Sequence, residues 1–137
     1  IFMKEHNADY LSDEALMWHP RLGIHAANVA PEFGVVETKA FISILENNNL
    51  NKLSEKFLEL AFASRKWEKW MIDGSEATDR DCSIIAGHYI FSKTECLQIK
   101  EEAQNILKKN FNIDNELKNA VKKTIYRYMT NFRMLKK

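Results

Sequence analysis

The stretch "EHNADY" at residues 5–10 places Glu5, His6, Asn7 and Asp9 within less than two helical turns. A neutral imidazole beside a carboxylate can bind a divalent metal such as Zn²⁺, which polarises a carbonyl group. His6 or Asp9 can instead move a proton next to such a carbonyl. The structural alternative is an ordinary polar turn, in which Asp9 caps the helix near residue 12 and His6 forms a hydrogen bond at the end of a strand.

The elements around this stretch form a β-α-β pattern. The segment "IFMKE" at the start of the chain is typical of a short strand. The segment "SDEALMW" (12–18) predicts a helix, with Ser12 as its cap and Pro20 ending it. The segment "RLGIHAANVA" (21–30) predicts a second strand. Strand, helix and strand within 30 residues indicate two parallel strands.

Beyond residue 30 the hydrophobic period changes to that of helices. Pro31 suits a first helical turn, and apolar residues then recur at spacings of three and four. Later helix starts are predicted from capping boxes at Thr78 with Asp81 and at Ser92 with Glu95, and from Asp114 as a cap. Cys82 and Cys96 lack ligand spacing, so both are predicted to be reduced and mostly buried thiols.

Two parallel strands cannot stand alone, because parallel sheets are normally buried on both faces and need further strands at their edges. All the strand signal lies in the first 30 residues, and the chain begins with Ile rather than Met. We therefore expect the C-terminal fragment of a larger α/β protein. Its remaining helices would form a C-terminal cap.

Composition bounds the class of protein. A length of 137 residues suits one domain, and apolar residues at 45% are enough for a core. The formal net charge of +1 predicts no general attraction to nucleic acid or to an acidic membrane. No apolar run reaches the roughly 18 to 20 residues that a membrane span needs, and no signal peptide is evident. We expect a cytoplasmic, soluble protein.

The segment "KEHNADYLSDEALMWHPRLGIHAANVAPEFGVVETKAF" resembles the C-terminal half of the non-catalytic subunit of class II D-tagatose-bisphosphate aldolase. Members of that family have a His followed three residues later by Asp-Tyr, which His6, Asp9 and Tyr10 match. They also have a strand running into a Gly-Pro or Ala-Pro turn, which Ala30 and Pro31 match. The family also carries the name tagatose-6-phosphate kinase, but the chain has neither GxxxxGK[ST] nor GxGxxG.

The resemblance implies an α/β fold, in which the chain is a C-terminal fragment of a (β/α)8 TIM barrel. Residues 1–47 would be its last two βα units, and residues 48–137 would be a mainly α-helical extension packing on the barrel. The active site of such a barrel lies at the C-terminal ends of its strands. The candidate residues there are Asp9 and Glu5 as catalytic groups, His6 as a metal ligand, and Asn7, Asn28 and Glu32 as substrate-binding groups.

The function that the resemblance implies is support of a catalytic class II aldolase subunit in galactitol or N-acetylgalactosamine breakdown. The expected partners are that subunit and a phosphorylated ketose, in an oligomer, without nucleic acid or membrane. Zn²⁺ is expected in the intact protein, whereas the fragment alone would bind none and be inactive. The N–H groups after Pro31 offer one further place for a substrate phosphate.

Two other functions stay open. One is a metal-dependent ketose or ketouronate epimerase of the same barrel family. The other is a non-enzymatic helical interaction module. His88, between Gly87 and Tyr89, is interpreted as a packing residue, and Trp67 and Trp70 as cover for the helical layer or for a subunit contact.

Overall fold

The structure, a computed structural model, describes residues 1–107 and 111–135. This part of the chain contains two short strands and six α-helices. Short 3₁₀ helices at Glu68–Trp70 and Gly87–Tyr89 flank the fourth α-helix. In chain order the other elements are β1 (Met3–Glu5), α1 (Asp13–Arg21), β2 (Ile24–Ala27), α2 (Pro31–Asn47), α3 (Asn51–Ala63), α4 (Asp79–Ala86), α5 (Thr94–Ile106) and α6 (Ile113–Asn131).

The two strands pair in parallel, which confirms that part of the sequence prediction. Met3 lies opposite Ile24 and Glu5 opposite Ala27, with an irregularity in register after Met3. The pairing continues beyond the strands, because the Asn28 N–H donates to the Glu5 carbonyl (3.2 Å) and the Ala8 N–H donates to the Asn28 carbonyl (2.9 Å). Both chain segments therefore leave the sheet side by side.

The prediction of a TIM-barrel fragment is wrong. Helices account for 64% of the described residues, which makes the fold mainly α. In the described part of the chain β1 and β2 pair with each other alone, and every residue of both strands is exposed or half-buried. The hydrophobic core is therefore built by the helices, and the requirement for neighbouring strands, on which the barrel prediction rested, does not apply.

The core lies among α2, α3, α5 and α6, with the segment after α4 closing it. Phe41 of α2 packs edge-on against Phe57 of α3, with ring centroids 5.1 Å apart, and Phe91 contacts both rings. Such edge-to-face pairs add to the free energy gained by burying the rings. The boundary predicted at residue 47 coincides with the end of α2, and residues from both sides of it share this core.

The N-cap residues predicted from the sequence are confirmed for α1 and α4. Ser12 caps α1 by accepting from the Ala15 N–H, as predicted, but α1 continues through Pro20 to Arg21. The capping box of Thr78 and Asp81 is present at the start of α4, again as predicted.

The two later predictions of helix starts are wrong. The α5 helix begins after Lys93 without a side-chain cap, so Ser92 and Glu95 form no capping box. Asn112 rather than Asp114 caps α6. Asp114 lies within the first turn of α6, where its negative charge still favours the positive end of the helix dipole.

The two cysteines, Cys82 and Cys96, are free and buried, as predicted. Burial raises the pKa of the Cys96 thiol to about 11, so this group is a poor nucleophile near neutral pH. Among the described residues, the helices are all too short or too polar to cross a membrane.

Candidate functional site

A group of polar side chains lies just beyond the C-terminal ends of β1 and β2, at the start of α2. We call it the strand-end cluster. It brings together residues that are far apart in the sequence, since the loop after β1, the first turns of α1 and α2, and the last turns of α6 all contribute. Its members are Asp9, Asp13, Glu32, Arg127 and Tyr128.

Asp9 caps α2 from a distance. Its Oδ1 accepts hydrogen bonds from the Ala30 N–H (3.1 Å) and the Glu32 N–H (2.9 Å). Ala30, which stands at the N-cap position, has no side-chain acceptor of its own. The carboxylate of Asp9 therefore satisfies two otherwise unpaired donors and faces the positive end of the α2 dipole. The Glu32 N–H is one of the groups after Pro31 that were predicted as a place for a substrate phosphate.

Glu32 is the buried centre of the cluster, with 9% of its surface exposed. Its Oε2 accepts a hydrogen bond from the Tyr10 N–H (2.6 Å) and a short one from the Tyr128 hydroxyl. Its Oε1 accepts from Arg127 (3.2 Å). Since a buried carboxylate is stable only when it is paired and hydrogen-bonded, these donors are what allow Glu32 to lie here.

The guanidinium of Arg127 donates hydrogen bonds to three parts of the chain. Besides Glu32, it donates to Asp13 Oδ1 (2.7 Å) at the start of α1 and to the Leu11 carbonyl. Asn131, one turn further along α6, also donates to Asp13 (3.1 Å). The end of α6 is thereby joined to α1, to α2 and to the loop after β1.

The environment of the cluster shifts the pKa of both tyrosines. Burial, together with the hydrogen bond that its hydroxyl donates to Glu32, holds the pKa of Tyr128 well above its usual value. The pKa of Tyr10 is raised by burial and then by the negative charges of Asp9 and Glu32. Tyr10 also adopts a positive φ of 61°, which is uncommon for a residue with a side chain.

The other predicted site residues lie beside the cluster rather than in it. Glu5 is half-buried and pairs with His19 of α1, whose Nδ1 donates to the Ala15 carbonyl (3.0 Å). His6, Asn7 and Asn28 are exposed. Asn7 has a φ of 67°, typical of an Asn in a turn. The structure therefore brings Asp9 and Glu32 together but leaves His6 facing solvent.

The residues that the structure describes do not fit a Zn²⁺ site. A protein site for this ion normally takes three or four ligands from His, Cys, Asp and Glu side chains. In the described ranges 1–107 and 111–135, no group of three such residues is gathered in a way that could hold a metal ion. His6, the predicted ligand, therefore lacks partner ligands within this part of the chain.

Sequence reasoning missed Arg127 and Tyr128. Neither residue stands out in the sequence, because aromatic and basic residues alternating along a C-terminal helix are typical of an ordinary surface helix. The one available signal was Glu32, an acidic residue in the first turn of an otherwise apolar helix face. Its partners lie 95 and 96 residues away along the chain, so no local spacing could identify them.

Comparisons of the chain with protein-family models, with curated proteins and with solved structures give no match.

Replacing Asp9 tests its role as the α2 cap. We expect Asp9→Ala to lower the free energy of unfolding by roughly 0.5–2 kcal/mol, because two N–H groups lose their acceptor. Asp9→Asn keeps an acceptor oxygen and should recover most of this loss. Urea denaturation measures both, with Asp73→Ala in an exposed loop as the matched control, expected within about 0.5 kcal/mol of the unmodified chain. An Asp9→Ala variant as stable as this control would contradict the capping role.

The raised pKa of Tyr128 predicts how stability depends on pH. The unfolded chain loses this proton near pH 10, whereas the folded chain keeps it to higher pH, so stability should fall as the pH rises above about 10. Tyr128→Phe should make this fall shallower. It should not abolish it, because Tyr10 and Cys96 also have raised pKa values.

Denaturation curves between about pH 8 and pH 11 measure this difference. Tyr126→Phe, which removes an exposed hydroxyl from the same helix, is the control and should follow the unmodified chain. Near pH 8, Tyr128→Phe should cost about 1.5–3 kcal/mol for a lost hydrogen bond to a charged group. Identical pH slopes in the two variants would show that Tyr128 does not titrate as described.

Proposed function

We propose that the chain is a non-catalytic accessory subunit that supports a class II aldolase acting on D-tagatose 1,6-bisphosphate. The resemblance of residues 4–41 to that subunit family suggests the partner and the substrate. The pathway would be the breakdown of galactitol or N-acetylgalactosamine, in which the bisphosphate is cleaved to two triose phosphates.

The observation that carries the proposal is a contact between the two motifs that match the family. Asp9, from the His-x-x-Asp-Tyr motif, accepts hydrogen bonds from the N–H groups on either side of Pro31, from the Ala-Pro motif. The residues that carry the resemblance thus hold one another in place. Asp9 uses Oδ1 in this contact, and both carboxylate oxygens of Glu32 accept hydrogen bonds from within the protein. These bonds favour a structural over a catalytic role for both carboxylates.

The second candidate is the metal-dependent sugar epimerase. It is favoured by His6, which is exposed and forms no hydrogen bond to another described residue, so its ring is free to bind a metal in the intact protein. The free thiols of Cys82 and Cys96 support a cytoplasmic location for either function.

An activity assay with and without an aldolase separates these functions. The chain is added to a purified class II aldolase, and cleavage of D-tagatose 1,6-bisphosphate is followed through triose phosphate release. We expect no turnover by the chain alone, with or without Zn²⁺, and a faster or longer-lived aldolase activity when the chain is present.

His6→Ala and His25→Ala provide a matched pair, since both replace an exposed histidine, one beyond β1 and one in β2. An accessory role predicts that both variants stimulate the aldolase as well as the unmodified chain. Ketose epimerisation by the chain alone, lost in His6→Ala but kept in His25→Ala, would favour the epimerase. The absence of any stimulation would contradict the accessory role.

A further inference from the structure

A groove of about 460 Å³ runs along α2 on the side next to the strand-end cluster. This volume lies within the range of pockets that hold small organic ligands. Tyr10 lies between the two features, because its N–H donates to Glu32 of the cluster while its side chain lines the groove. Five segments line the groove: the loop after β1, α2, the first 3₁₀ helix, α4 and the second 3₁₀ helix. Their lining residues include Tyr10, Lys39, Trp70, Asp81, Ile84 and His88.

Two glycines allow His88 to form the inner wall of the groove. A Cβ atom on Gly34 of α2 would lie 2.5 Å from Cγ of His88, and a Cβ on Gly87 would lie 2.7 Å from Oγ1 of Thr38. Such distances are too short for real contacts, so both positions need glycine for the second 3₁₀ helix to pack this closely on α2. The ring of His88 is thereby pressed against α2 beside the open groove.

The His88 ring is polar but poorly partnered. Its Nδ1 is buried without a hydrogen-bond partner among the described residues. Burial, and then the positive charge of Lys69, lower the pKa of His88, while the Ile85 backbone acts in the opposite direction. The ring is therefore neutral near pH 7 and has one N–H. Because His88 also lines the groove, its ring is one of the polar groups that a ligand hydroxyl can contact there.

The remaining lining offers both signs of charge next to aromatic rings. The exposed ammonium of Lys39 can bind an anionic group. The pKa of Asp81 is lowered by hydrogen bonds from Thr78, so it stays ionised and can accept from ligand hydroxyls. Trp70 and Tyr10 are 42% and 60% exposed, and Lys69 lies 5.0 Å from the Trp70 ring centroid. Flat rings of this kind can contact the C–H face of a sugar ring.

We propose that this groove is a binding site for a phosphorylated sugar on the chain itself, with the phosphate at Lys39, hydroxyls at His88 and Asp81, and the apolar sugar face on Trp70 and Tyr10. The polyol and its anionic group are inferred from the lining. The choice of a ketohexose phosphate rests on the proposed function. The site is separate from the strand-end cluster, whose donors are engaged within the protein.

Isothermal titration calorimetry of the purified chain, with no aldolase present, tests the site. The probes are D-tagatose 6-phosphate, D-tagatose and inorganic phosphate. D-tagatose 6-phosphate should bind saturably, and the other two at least about tenfold more weakly, because each makes only part of the contacts. Equal binding of inorganic phosphate, or no binding of the sugar phosphate, would overturn the proposal.

Two variants locate the binding. Lys39→Glu and Trp70→Leu should each weaken D-tagatose 6-phosphate at least about tenfold, while Lys52→Glu on the exposed side of α3 should leave it unchanged. Circular dichroism melting confirms that both variants fold, as expected for partly exposed positions. Unchanged affinity in both would place any binding elsewhere and overturn the proposal. Because no aldolase is present, failure here leaves the accessory role standing, and sugar binding without aldolase stimulation would leave the groove standing alone.

Discussion

The buried carboxylate of Glu32 is the constraint on which the N-terminal half of the structure depends. Burying a carboxylate is costly unless several donors satisfy it. Here Tyr10 donates from the loop after β1, and Arg127 and Tyr128 donate from α6. Because no one of these segments can satisfy the charge alone, the carboxylate brings the loop and α6 together at the start of α2.

The same arrangement explains how two exposed strands persist outside the hydrophobic core. A two-stranded parallel sheet buries too little apolar surface to be stable by itself. Beyond the strands, the Ala8 carbonyl lies 3.0 Å from the Tyr128 hydroxyl, and Asp9 holds the first turn of α2. The helical core provides the stability, and the hydrogen bonds of the strand-end cluster attach β1 and β2 to it.

The sequence supported the local features of this fold and failed on the long-range ones. The parallel pairing followed from the β-α-β pattern, and the start of α2 followed from Pro31. The barrel prediction failed because strand signal was taken to imply a buried sheet, whereas the core comes from helices. Asp9 was considered as a cap for the helix near residue 12. It caps α2 instead, 21 residues away, which only the fold can reveal.

The two proposed roles use different parts of one region. In the strand-end cluster the polar groups are engaged with one another, as expected of a structural element in an accessory subunit. In the adjacent groove Nδ1 of His88 has no hydrogen-bond partner among the described residues, and Tyr10 and Trp70 are partly exposed, as expected of a binding surface. Tyr10, which has a positive φ and donates its N–H to Glu32, connects the two. Any ligand in the groove would therefore contact a residue that the cluster positions.

Native-state amide hydrogen exchange in Arg127→Ala measures whether α6 holds the strand ends in place through Glu32. If α6 holds the strand ends through Glu32, the amides of Ala8 and Asn28 should exchange at least about tenfold faster, while those of Ile99 and Ala103 in α5 stay protected. Arg80→Ala, which removes an exposed ion pair to Glu46, is the control and should leave the Ala8 and Asn28 amides unchanged. Equal acceleration throughout the helices, or unchanged exchange at Ala8 and Asn28, would show that α6 does not hold the strand ends through Glu32.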